Sequence, residues 1–159
     1  MDFYAVQRLV GKIDDDPELR DAFIMVFDTE TKQELARFGL RLAEHVSEFT
    51  GFQMGREITI AFAAVEEWLD NKVNYQKART LAGAINGLAK QETDPIKAKY
   101  YRTMAQIACI PHVKFHALWA CDFAVALVNR IAPGDAGAVR EERRTHIALL
   151  SYMNELARL

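Results

Sequence analysis

The chain has 159 residues, half of them apolar and 26% charged, which is the size and make-up of one ordinary globular domain rather than a disordered or fibrous chain. A net charge of −2 and a pI of about 6.1 give no whole-molecule positive field for nucleic acid or an anionic lipid surface. No run reaches the roughly 18 to 20 apolar residues of a membrane span, so neither nucleic acid nor membrane is expected as a partner.

Asp2 stands where a signal peptide would carry positive charge, and Cys109 and Cys121 are too few for a disulfide framework. A cytoplasmic protein with both thiols reduced is expected. Almost nothing alternates with period two, and Pro and Gly fall between segments of helical period.

Phe3, Val6, Leu9, Val10 and Ile13 form a first amphipathic stretch, read as a helix that ends at Asp14-Asp15-Asp16-Pro17. Asp16 can cap a second, short helix with Pro17 at its first position, ending near Phe27. Thr31 and Glu34 make a capping box for a third, whose stripe is Leu35, Phe38, Leu42, His45, Val46 and Phe49 and whose stop is Gly51.

The mask Ile58, Ala61, Phe62, Val65, Trp68 and Leu69 repeats twenty positions later as Ala78, Leu81, Ala82, Ile85, Leu88 and Ala89. Two helices follow, joined by the short linker Asn71-Lys72-Val73-Asn74 into an antiparallel hairpin with large residues opposite small ones. Asp94-Pro95 opens another helix through Ile96, Tyr100, Met104, Ile107 and Ala108, after which Pro111 breaks the chain.

From His112 to Ile131 the only charges are Lys114, Asp122 and Arg130, with apolar residues on every side, the pattern of a central helix. Ala132-Pro133-Gly134-Asp135 is a turn, and a last helix buries Val139, Ile147, Leu150, Met153 and Leu156. The expected fold class is all-α. Residues 1–159 form a single helical domain, a bundle of seven to eight helices around a central apolar helix at 112–132, with the C-terminal helix at 136–158.

The stretch CIPHVKFHALWACDF concentrates the candidate chemistry. His112 and His116, four apart, would project about 40° from each other on a helix and could share a transition metal, but the H-E-x-x-H glutamate is absent. Further ligands would come from His45, Asp122, Cys109 or a glutamate. The simpler reading makes both histidines, and His45, hydrogen-bonded core groups. Cys109 near a helix start could be an activated thiol or a small buried hydrophobe. Cys121 and Trp119 read as packing.

Asp122 in an apolar helix must be paired, protonated or turned to a cavity; helical geometry places it on the side of Lys114 and Asn129, a polar seam. Arg140-Glu141-Glu142-Arg143-Arg144 reads as a solvated, mixed-sign face or part of a partner surface. Phosphate loops, EF-hands and serine elbows are missing; no catalytic residue is assigned and no cofactor is expected.

The order Ala43-Glu44-His45-Val46, then Trp68, then Ala78-Arg79, then His112-Val113 with His116-Ala117 resembles the predicted bacterial immunity proteins of the Imm-five-like group. The resemblance covers residues 31–132, a family-like core, and leaves residues 1–30 without a match. It implies a helical, non-enzymatic protein that binds and neutralises a toxin effector of the same or a neighbouring bacterium, with the cognate toxin as partner. Two other readings rest on residues alone. One is a metal-binding or metal-dependent helical-bundle enzyme using His112 and His116. The other is a homo-oligomeric structural module that buries Phe3, Tyr4 and Phe52 between copies.

Overall fold

A computed structural model describes residues 7–157, and within them the chain is all helical: α1 (Pro17–Phe27), α2 (Lys32–Thr50), α3 (Arg56–Leu69), α4 (Tyr75–Gln91), α5 (Pro95–Ala108), α6 (Phe115–Ile131) and α7 (Ala136–Ala157). The boundaries follow local chemistry. Asp16 accepts from the Leu19 N–H with Pro17 at the first position, and Thr31 and Glu34 satisfy each other's backbone as a capping box. Gly51 ends α2 at φ 78°, a left-handed conformation that glycine adopts without a Cβ clash. Asn74 and Asp94 cap α4 and α5 through Gln76 and Ile96.

Residues 7–16 depart from the expected first helix. They form an irregular strap, in which Gly11 turns at φ 85° and interrupts any helical run through Leu9, Val10 and Ile13. Phe3, Tyr4 and Val6 lie outside the described residues. The strap is tied down side chain by side chain: Trp119 Nε1 donates to the Gln7 carbonyl at 3.0 Å, and the Asn129 amide both accepts from and donates to the Asp14 backbone, at 2.8 and 2.9 Å. Trp119 is therefore a tether as well as a packing group.

The strap explains how α6 can be apolar all round. α5, α2 and α7 pack against three of its sides, and Ile13 closes the fourth against Val125 and Val128. Every residue from Ala120 to Val128 is buried, Asp122 included. The helix starts three residues later than expected, because Cys109–His112 is spent in turns around Pro111. α3, α4, α5 and α6 pack in chain order, and α7 returns across α1, α2 and α6. Leu156, expected inside, is 44% exposed at the end of α7, and Ile147 is half-buried. Phe52 is half-buried with its ring 5.2 Å from that of Tyr100, so it already has an intramolecular partner.

α2 meets α5 at Gly39, where a Cβ would stand 2.5 Å from Ile110 Cδ1 and 3.1 Å from Ile107 Cγ2, both on fully buried side chains. Overpacking of that kind costs about 1–3 kcal/mol, more than the roughly 1 kcal/mol that alanine gains over glycine in a helix. Gly39→Ala is expected to lower stability in urea titrations, whereas Gly83→Ala in α4, where a Cβ meets open space, is expected to raise it by about 0.5–1 kcal/mol.

Candidate functional site

The deepest polar feature is a chain of ion pairs. Arg20 grips Asp122 with Nε and Nη2, each at 2.9 Å; Arg143 donates Nη2 to the same carboxylate at 2.7 Å and holds Asp15 through Nε and Nη2 at 2.9 and 2.7 Å. Arg8 adds a contact to Asp15 at 2.7 Å. Strap, α1, α6 and α7 thus meet at one set of charges. Burial alone would push the Asp15 carboxyl up, but the hydrogen bonds and charge of Arg143, then Arg8 and the Asp16 N–H, outweigh it and hold it at about 2. The same carboxylates raise Arg143 above its ordinary value against the cost of its burial.

Two expectations are corrected here. Asp122 faces Arg20 and Arg143, not a seam with Lys114 and Asn129. The Arg140–Arg144 run is not wholly solvated: Glu142 and Arg143 are buried, the Arg143 side chain completely, while Arg140, Glu141 and Arg144 stay exposed. The residues of α7 that face inward are Val139, Glu142, Arg143, His146, Leu150 and Met153, one helical stripe in spacing. Charge content hid what spacing could have shown, and it hid His146 altogether.

One residue before Arg143, Glu142 sits between two imidazoles: His45 Nε2 at 2.8 Å and His146 Nε2 at 2.7 Å. Burial would raise its carboxyl; the charges and hydrogen bonds of His146 and His45 bring it down to about 2. His146 is fully enclosed, so burial lowers its pKa despite Glu142, and its Nδ1 has no hydrogen-bond partner among the described residues. His45 is half-buried; desolvation works against its charge, but Glu142 and Glu48 prevail and raise it. The expectation of a hydrogen-bonded core histidine holds for His45, with Glu142 as its partner.

His112 and His116 form a separate face. His112 lies in the turn before α6, so the two are not successive positions of one helix face, yet the fold leaves their rings 6.2 Å apart. His112 stacks on Tyr75 at 4.8 Å, and His116 meets Trp119 edge-on at 5.0 Å. His116 Nδ1 lies 2.7 Å from Gln106 Oε1; burial, then the charges of His112 and Arg79, lower its pKa to about 4, so at neutral pH Nδ1–H donates to the amide. All four rings are partly exposed, and Arg79 stands open beside them. His45 is committed to Glu142 and Asp122 to two arginines, so the four candidate ligands do not converge. Among the described residues no three His, Cys, Asp or Glu side chains come together in a way that could hold a metal ion.

Cys109 is half-buried, and burial raises its thiol against the pull of Arg79, the reverse of an activated nucleophile. Cys121 is fully enclosed and raised well above its ordinary value, again by burial first. With iodoacetamide at pH 7.5, Cys109 is expected to react several-fold more slowly than a free thiol, and Cys121 only in denaturant. A fast-reacting Cys109 would show a thiolate that this setting does not support.

Among the described residues no helix is long and apolar enough to cross a membrane. No curated protein and no solved structure matches the chain. One family model does, that of the Imm-5 like putative immunity protein, over residues 25–152. The match runs from the end of α1 through most of α7, further at both ends than residues 31–132, and takes in both histidine sites, Asp122 and the buried face of α7 as far as Leu150. The chain belongs to the Imm-5 like putative immunity protein family.

Proposed function

We propose that the protein is a non-enzymatic cytoplasmic binder that neutralises a bacterial toxin by occupying it. Family membership across residues 25–152 is the observation that carries this reading. The interior agrees with it: Asp15, Asp122 and Glu142 are each spent on arginine or histidine, which favours a rigid scaffold over a catalytic centre. Rigid partners bind with little reorganisation.

The surface that best suits such a partner is the face of Tyr75, Arg79, His112, His116 and Trp119. Tyrosine, tryptophan and arginine are the residues that dominate binding energy when a partner seals them from water. Co-expression with the product of the neighbouring gene should yield a complex that co-purifies, and a host lacking this protein should die when that product is made. Survival of such a host counts against the reading. Within a complex, Tyr75→Ala and Arg79→Ala are each expected to weaken affinity about tenfold or more, with thermal unfolding unchanged in Arg79→Ala, whose side chain is exposed; unchanged affinity in both would move the interface elsewhere.

A further inference from the structure

Asn129 divides two concavities of opposite charge. On one side lie Asp14, Asp15, Asp16 and Asp135, with Arg140 as the one cation of that lining; on the other a hollow of about 260 Å³ is walled by Lys12 of the strap, Lys99 of α5 and Arg130 in the last turn of α6. Val10, Ile13 and Ala126 complete the basic hollow, which has no acidic residue in its lining.

Three cations from three different elements have been brought to one depression and left unneutralised. Among the described residues none of the three lies within ion-pair distance of a carboxylate, and what sets them apart from the other unpaired lysines and arginines is that they share one hollow with no acidic residue in its wall. Three of the acids across Asn129 are committed elsewhere, and Asp14, exposed, makes no ion pair with the three cations. Asp15 is held by Arg143 and Arg8, Asp16 caps α1 through the Leu19 N–H, and Asp135 accepts from the Ala138 N–H at the start of α7. Asn129 binds the Asp14 backbone through both its oxygen and its nitrogen.

The apolar residues in the wall lower the local dielectric, so repulsion among the cations is felt more strongly than on an open surface. Lys99 is half-buried, with Nζ 5.5 Å over the Phe123 ring. Burial, then Arg130 and Arg102, lower its pKa, the mark of a cation without its counterion.

We propose that the hollow formed by Lys12, Lys99 and Arg130 is a binding site for a phosphate group, either free or carried as a monoester. A dianion answers several convergent cations better than a single carboxylate does, and guanidinium and ammonium groups together are a common phosphate-recognition set. The hollow has room for a phosphate group with water around it. The inference goes beyond toxin binding and stands or falls separately from it.

The test is titration of the full chain with inorganic phosphate, ribose 5-phosphate and acetate at matched ionic strength in chloride, followed by calorimetry and by amide NMR shifts. Saturable phosphate binding is expected, with shifts centred on residues 10–13, 99 and 126–130, and weakened at least tenfold in both Lys99→Gln and Arg130→Gln. Arg41→Gln, remote in the chain and ion-paired to Glu44, is the control and should bind as the wild type does. Tighter binding of the sugar phosphate assigns the site to a phosphomonoester, and equal or weaker binding assigns it to free phosphate. Acetate binding as tight as phosphate, no saturation beyond the chloride response, or phosphate binding that survives both substitutions would overturn the proposal.

Discussion

Replacing Arg143 with methionine is expected to cost about 3–5 kcal/mol, the loss seen when one member of a buried ion pair is removed and its partner charge is left behind. The side chain is completely enclosed and makes three hydrogen bonds to two carboxylates. Without it Asp122, itself fully buried, keeps Arg20 but loses a second guanidinium, and Asp15 keeps only Arg8 as an ion-pair partner. Since small domains are stable by about 5–15 kcal/mol, the variant should sit near the edge of folding. Arg143→Lys retains charge but cannot span both carboxylates with a planar fork, so it should fall between the two.

Asp122→Leu combined with Arg143→Met should be less damaging than the sum of the single changes, with a coupling of roughly 0.5–3 kcal/mol. The loss should also have a location. The strap reaches α7 through Asp15 and Arg143, so proteolysis of Arg143→Met under native conditions should begin within residues 7–16 before any helix is cut. Urea titrations measure the first effect and mass spectrometry of limited digests the second. A cost under 1 kcal/mol with an intact strap would mean that Arg143 does not join these elements in solution.

Legibility in the sequence divides along the range of the interactions concerned. Helix ends were readable because caps are local: Asp16 with Leu19, Thr31 with Glu34 and Asp94 with Ile96 involve neighbours within three residues. Apolar stripes were readable because period 3.6 is written along a single helix. The ion chain was not, since Asp15 and Arg143 are 128 positions apart and Arg20 and Asp122 are 102 apart. No periodicity within an element reports such a partner. The strap departs from the helix that Phe3, Val6, Leu9, Val10 and Ile13 suggest because Gly11 turns the chain, and a hydrophobic side chain such as Ile13 can pack just as well from an irregular segment. The histidine face was half legible: His112 and His116 were singled out, but their place beside Tyr75 depends on the turn at Pro111 bringing α4 and the start of α6 together.

The second large effect is expected in acid and centres on Glu142. Its folded pKa of about 2 lies below the ordinary 4.5, so the stability it confers is present in full above pH 4.5 and is lost as the pH falls toward 2; at about 1.4 kcal/mol per pH unit this amounts to about 3 kcal/mol. Asp15 acts over nearly the same window, from 3.8 to about 2, with a smaller yield because its shift is smaller. His116, lowered to about 4, adds an earlier decline: the unfolded chain takes up a proton below 6.5 where the folded one does not. His45 has the opposite sign. Its folded pKa is raised, so its contribution is complete below 6.5 and disappears as the pH rises through the folded value. Stability should therefore peak near neutrality, fall gently on the alkaline side and steeply in acid. Against this profile, Glu142→Gln should be about 3 kcal/mol less stable than the wild type at pH 6, and the two should converge by pH 2, while His45→Gln should remove the alkaline decline and, by taking one partner from Glu142, make the acid fall shallower. Urea unfolding from pH 2 to 9 measures both. A gap between Glu142→Gln and the wild type that stays constant from pH 6 to pH 2 would show that this carboxylate titrates normally and is not held between two imidazoles.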